Sequence, residues 1–193
     1  MRFKAVPALA AFALAIPTAA LAEFSYNFLE ASFVDVEIDD TSIDGDGIRL
    51  EGSTEVGDTF FVRAEYEDYD FDFDIDGNIF ELGGGYFHTL SDDLDFIATG
   101  QFVQVEVEND DDDGLGIGGG IRARVSDTLE VDALLNWVDF DRIGSDTYLD
   151  LRGRFYFNEQ FAATLKFELG SDTFDSMGIG VRYNFRPFAG GGD

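Results

Sequence analysis

The chain has no cysteine. An exported protein of this size must then hold its fold without disulfides, and cysteine nucleophiles and thiolate metal sites are excluded. Proline is scarce, and Pro7 and Pro17 both fall in the N-terminal stretch. His88 is the single histidine, which leaves little material for imidazole-based acid–base catalysis. Basic residues are few: 12 Lys and Arg stand against 40 Asp and Glu, a formal net charge of −28. Nucleic acid and anionic membrane surfaces are poor partners for such a chain, since both require a basic patch. After residue 22 there is no apolar run of about 18 residues, so ordinary helical membrane spans are excluded. Helix-length segments with a 3.6-residue period are missing there too.

What is present begins with a leader. Arg2 and Lys4 precede the apolar stretch "AVPALAAFALAI", and "ALA" at 20–22 offers small residues where a signal peptidase reads. We therefore read residues 1–22 as a signal peptide, 23–186 as the folded domain and 187–193 as a short glycine-rich tail. Acidity of this degree can accompany disorder, but 15% aromatic content with 21 Phe argues for a folded chain.

Period-2 alternation dominates the domain and predicts strands near 24–36, 46–53, 59–69, 78–88, 94–107, 115–125, 129–139, 147–157, 161–169 and 177–186. Short polar connections such as "LSDD" and "VSDT" alternate with Asp-rich tips such as "DDTSIDGDG", "DFDIDGN" and "NDDDDG", an array of similar hairpins. Asp-Gly at 44–45, 46–47, 76–77 and 113–114 is favoured chemistry for tight turns at those tips. One face of the strands is apolar. The other carries Arg49, Arg63, Arg122, Arg124, Arg152, Arg154, Lys166 and Arg182 with Glu30, Glu51, Glu65, Glu67, Glu81, Glu130, Asp132, Asp150 and Glu168. Such near-neutral balance on one face predicts a paired ionic network, and the negative excess falls at the tips. An exported chain with an even number of long strands and alternating short and long connections fits a membrane barrel, apolar side outward. The fold expected is an all-β, closed antiparallel transmembrane barrel of ten strands. Eight strands is the alternative, if "EIDDTSIDGDGIRLEG" is mostly loop.

The terminal strands resemble those of a known family. "SYNFLEASF" at 25–33 looks like the opening strand, and "GIGVRYNF" at 178–185 is similar to the C-terminal assembly signal, of the small outer-membrane β-barrels of Gram-negative bacteria, a porin-like superfamily with OmpX-like and OmpW-like members. In that signal Gly180, Tyr183 and Phe185 take the glycine and hydrophobic positions; Gly178 stands where a polar side chain is usual, and the chain continues through "RPFAGGGD". The resemblance implies an outer-membrane location with both termini periplasmic, handling by the barrel assembly machinery, and contact with outer-membrane lipid and lipopolysaccharide. We expect a monomer that binds no nucleic acid.

Motifs for chemistry are weak. "GLGIGGG" matches a dinucleotide fingerprint at Gly114, Gly116 and Gly119, but no helix follows to receive a phosphate. Gly116, Gly118 and Gly120 more naturally leave room for bulky side chains across the lumen. "DYDFDFDIDG" at 68–77 opens like a calcium loop, with Asp72, Asp74, Asp76 and Gly77 in place, yet the closing position is Gly83 rather than Glu. It is no EF-hand, and at most these Asp residues join a weak divalent-cation association; no other cofactor is expected.

The same stretch shows an inversion of faces. Up to Tyr66 the even residues are apolar and outward; from Asp68 they are acidic, and Tyr69, Phe71, Phe73 and Ile75 turn inward. Strands one, five and seven repeat the switch, with Val34, Val36 and Ile38, then Val103, Val105 and Val107, then Val138 and Phe140. There the strands leave the lipid, so these side chains should converge as an apolar cap, packed as a core or gapped to admit an apolar ligand. The leading function class is a structural or surface-interaction barrel with acidic extracellular loops and a largely blocked lumen. A narrow transporter for small or apolar solutes is the alternative, and an enzyme is not expected.

Overall fold

Alternating β-branched and aromatic residues on one parity, with charged residues on the other, suit a pleated wall with two unlike faces. The computed structural model describes residues 24–38, 44–72, 75–108, 110–170 and 174–185. They form β1 (Phe28–Ile38), β2 (Asp44–Val56), β3 (Phe60–Phe71), β4 (Ile75–Ser91), β5 (Leu94–Val107), β6 (Asp110–Ser126), β7 (Leu129–Phe140), β8 (Gly144–Tyr156), β9 (Phe161–Gly170) and β10 (Phe174–Asn184). Each strand pairs antiparallel with its chain neighbours, and β1 closes on β10 from Phe28↔Asn184 to Ile38↔Phe174. The barrel is closed and ten-stranded, so no sheet edge is left open.

The eight-strand alternative fails at β2. Its register with β1 and β3 is continuous, because "DGDGIRLEG" keeps one parity: Asp44, Asp46, Ile48 and Leu50 outward, Arg49 and Glu51 inward. The Asp-Gly pairs also depart from the expected turns, for all four lie inside strands. Their glycines face neighbouring rings instead. A Cβ at Gly45 would lie 2.6 Å from the Phe71 ring, and one at Gly114 would lie 2.8 Å from the Phe140 ring. The glycines are there because the inverted aromatics need the space. For the same reason β6 begins at Asp110 rather than near Leu115, and β4 at Ile75 rather than near Asn78. Gly116 and Gly118 make room for side chains of the adjacent strands, Gln101 and Asn136, rather than for groups across the lumen.

The outside of the barrel wears an apolar belt. Leu29, Phe33, Leu50, Val62, Leu82, Leu115, Ile117, Leu135 and Val181 are exposed, far more contiguous apolar surface than a soluble domain presents. Ring pairs Phe60–Tyr86, Phe155–Phe157 and Phe161–Tyr183 border it near the short turns, with His88 stacked on Tyr86. An apolar belt with an aromatic girdle around a charged interior is the arrangement of a lipid-embedded barrel. Above the belt the faces invert: Val34, Val36 and Tyr69 are buried while Asp35, Glu37, Asp68 and Asp70 are exposed. At the seam, Gly180 lets β1 and β10 approach; a Cβ there would meet the Ala31 carbonyl at 2.4 Å. Tyr183 joins the girdle, and Phe185 donates its backbone N–H to the Asn27 carbonyl. The leader and the tail lie outside the described residues.

Candidate functional site

Because odd and even residues take opposite faces, the strands together place charged side chains in the lumen at several heights. In the middle they bridge it. Arg152 on β8 reaches Glu51 on β2 at 2.7 Å, and Lys166 on β9 lies 3.6 Å from Glu65 on β3 and from Asp150, and 2.7 Å from Glu168. Arg49 on β2 donates to Glu67 and to Glu168. Arg63 donates to Glu81 at 2.6 Å and to Gln101, whose amide reaches the Tyr148 hydroxyl. Lower down, Arg154 holds Asp132 through two bonds of 2.6 and 2.8 Å, and Arg122 holds Glu130 at 2.6 Å. Arg182, fully buried, lies over the Phe28 ring and 3.9 Å from Glu30. Buried charges need such partners, since an unpaired ion in this environment costs several kcal/mol. Arg124 joins the network at its lower edge: it lies 3.7 Å from Glu130 and also donates to the Asp92 carbonyl at the short turns.

The lower end holds a feature that the alternation did not announce. Residues 24–27, expected as the start of the first strand, are not strand but fold against the lumen wall. The Tyr26 ring stacks with Phe61 and Phe87 at 5.1 and 4.3 Å, and its hydroxyl donates to Asp95 at 2.9 Å. Phe24 lies beneath the guanidiniums of Arg122 and Arg124, and the Ser25 carbonyl accepts from Arg122 and Arg182. Ile97 and Leu134 complete the cluster. A signal was available: Phe24, Tyr26 and Phe28 share the inward parity of Glu30, an aromatic run where a polar lumen was expected.

The upper end opens into a cavity of about 330 Å³. Tyr69, Phe71, Val103, Val105, Val107, Val138 and Phe140 do converge there, but as walls around the space. Among the described residues there, Val34, Val36 and Tyr69, with Phe71 and Ile79, pack into a cluster on one side. A ten-stranded barrel is too wide for valines on opposite walls to touch. The side chain of Ile38, and Phe73 and Asp74, lie outside the described residues. Glu65, Glu67, Glu81, Glu168 and Tyr148 line the lower part of the cavity. Sequence reasoning missed Tyr148, Ile79 and Ile143 among the lining residues.

Asp72 and Asp76 are exposed at the β3–β4 tip, and no group of three ligating side chains among the described residues could hold a metal ion. Asp112 instead organises a connection, accepting from the backbone N–H groups of Ile143, Arg142 and Asp113 at 2.9–3.1 Å. Burial raises its pKa, but these donors outweigh that and hold the carboxyl below the ordinary aspartate range.

No family model matches the chain, and no curated protein matches it in sequence. Solved structures match it in fold. The translocator domain of the autotransporter NalP from Neisseria meningitidis aligns with a TM-score of 0.56 at 10% identity, over 82% of this chain and 88% of that one. A KdgM porin in complex with disordered oligogalacturonate aligns with a TM-score of 0.47 at 10% identity, over 81% of this chain and 99% of that one. The closed ten-stranded sheet and the match to the NalP translocator domain give the chain the fold of the outer-membrane β-barrels.

Proposed function

We propose that the protein is a monomeric outer-membrane barrel with both termini periplasmic and its Asp-rich tips outside, serving a structural or surface-interaction role rather than conducting solutes. The observation that carries this is the set of bridges across the lumen, Arg152–Glu51, Lys166–Glu65 and Arg49–Glu168, above the seated 24–27 segment. Together they occupy the path that an ion would take. Neither an open pore nor an enzyme suits these residues: His88 points into the outer girdle, away from every lumen carboxylate named above. The resemblance of the end strands to OmpX-like and OmpW-like barrels agrees with this reading. Refolded protein in a planar bilayer is expected to give no sustained conductance; a steady ohmic current overturns the reading.

A second reading, uptake of small apolar solutes, is favoured by one observation, the apolar walls of the outward cavity. The Asp-rich tips add a weaker association. Asp70, Asp72, Asp76, Asp110 and Asp111 are exposed and of one sign, so they repel one another and anionic lipopolysaccharide unless cations intervene. Calcium or magnesium is expected to bind weakly, in roughly the millimolar range of low-affinity oxygen sites. Calorimetry at low salt reads it, and absence of heat removes it.

A further inference from the structure

The cavity at the outer end has a chemical bias. Every charged residue along it is acidic: Glu65, Glu67, Glu81, Glu106, Asp146 and Glu168. Their cationic neighbours Arg49, Arg63 and Lys166 do not line it. In this upper layer three bases serve the four carboxylates of Glu65, Glu67, Glu81 and Glu168. Among the described residues of this layer, Glu65 Oε2, Asp150 Oδ1 and Arg49 Nη1 are buried without a hydrogen-bond partner, and of these three residues Glu65 alone lines the cavity. Glu65 is 3% exposed, its Oε1 faces Arg49 and Lys166 at 3.6 Å, and its buried Oε2 has no hydrogen-bond partner. A buried carboxylate oxygen without a donor is unusual and calls for one.

We propose that this cavity is a binding site for an organic cation with an apolar body, an amine donating to Glu65 while its hydrocarbon lies against Phe71, Val105 and Phe140. The inference deepens the reading of a lumen closed below the cavity. Each alternative class meets an obstacle. An anion faces one-signed carboxylates. A neutral apolar molecule leaves the Glu65 oxygen unmatched. A bare metal ion needs about six oxygens, and its hydration shell gains nothing from valine and phenylalanine walls. An ammonium on an apolar stem supplies donors at the lower end and buries its carbon above, as snorkelling side chains do. The space, about 330 Å³, lies at the small end for ligand pockets. Acidic tips around the mouth would concentrate such cations from solution.

The test uses the full-length mature chain in nanodiscs of zwitterionic lipid, with empty nanodiscs as the blank for partitioning. Three soluble probes share one body: phenylbutylamine, phenylbutanol and phenylbutyrate. Calorimetry is expected to show the amine binding about tenfold or more tightly than the alcohol, in line with charge-assisted bonding, and the carboxylate not binding. Glu65→Gln should erase the preference for amine while alcohol binding persists, and Val105→Trp should abolish both. Should Glu65→Gln fail to fold, as read by heat-modifiable migration, Glu81→Gln at the more accessible edge carries the test. Equal binding of amine and alcohol, or a preference that survives both Gln variants, overturns the organic-cation assignment. Binding untouched by Val105→Trp places the ligand elsewhere and overturns the site. A conducting barrel would instead overturn the closed-lumen reading, whatever the probes do.

Discussion

Exchanging Arg152 for Met is expected to destabilise the refolded barrel by about 3–5 kcal/mol, the usual cost of breaking a buried pair from one side. The side chain joins opposite walls: its contact to Glu51 is 2.7 Å, and Asp150 lies 3.6 Å away. With it gone, among the described residues Glu51 keeps Arg63 at 3.7 Å as its ion-pair partner, and Asp150 keeps Lys166. Water and ions should follow, so the variant should also conduct where the wild type does not. Arg154→Met should behave alike in stability, because both oxygens of Asp132 lose their donors. The double change Arg152→Met with Glu51→Met should recover much of the loss, since an apolar pair of similar volume often replaces a buried ion pair without penalty. Denaturant unfolding in vesicles and bilayer recordings read both quantities. Single variants as stable and as silent as the wild type would remove the network from the account of this barrel.

Phe24→Ala combined with Tyr26→Ala should be the next most damaging change, at about 3 kcal/mol or more for two large-to-small substitutions. The Tyr26 ring stacks with two others, and Phe24 covers Arg122 and Arg124. Asp95, 1% exposed, loses its hydroxyl donor as well. Tyr26→Phe isolates that bond and should cost about 1 kcal/mol. Conductance distinguishes the two barriers. The Ala pair alone should stay silent, because the ionic bridges remain above it; added to Arg152→Met, it should enlarge the current. If the Ala pair conducts by itself, the segment is the main seal and the network is secondary.

The Asp-Gly pairs show where reading along the chain misleads. As dipeptides they favour tight turns, and nothing within a few residues says otherwise. Only the rings of Phe71 and Phe140, brought over Gly45 and Gly114 by neighbouring strands, show why glycine stands there. The first strand repeats the lesson. Period-2 alternation runs through "FSYNFLEASF", with the apolar parity changing after Phe28, yet residues 24–27 leave the wall for the lumen. Their apolar rings gain more from Phe61, Phe87 and Ile97 than from extending the sheet.

Which side of the wall each residue takes was determined by the sequence alone. Arg49, Glu51, Arg152 and Glu168 face inward, and Leu50, Leu135 and Val181 face out, because period-2 alternation is local to one strand and a single-residue slip would expose every charge to lipid. The inversion above Tyr66 was legible for the same reason. Which residues meet across the axis was decided by the tertiary structure. Arg152 and Glu51 are 101 positions apart, and their meeting depends on strand number, stagger and closure together. The cavity has that origin too: the inverted valines are written in the chain, but the width that keeps them from touching belongs to the ten-stranded ring.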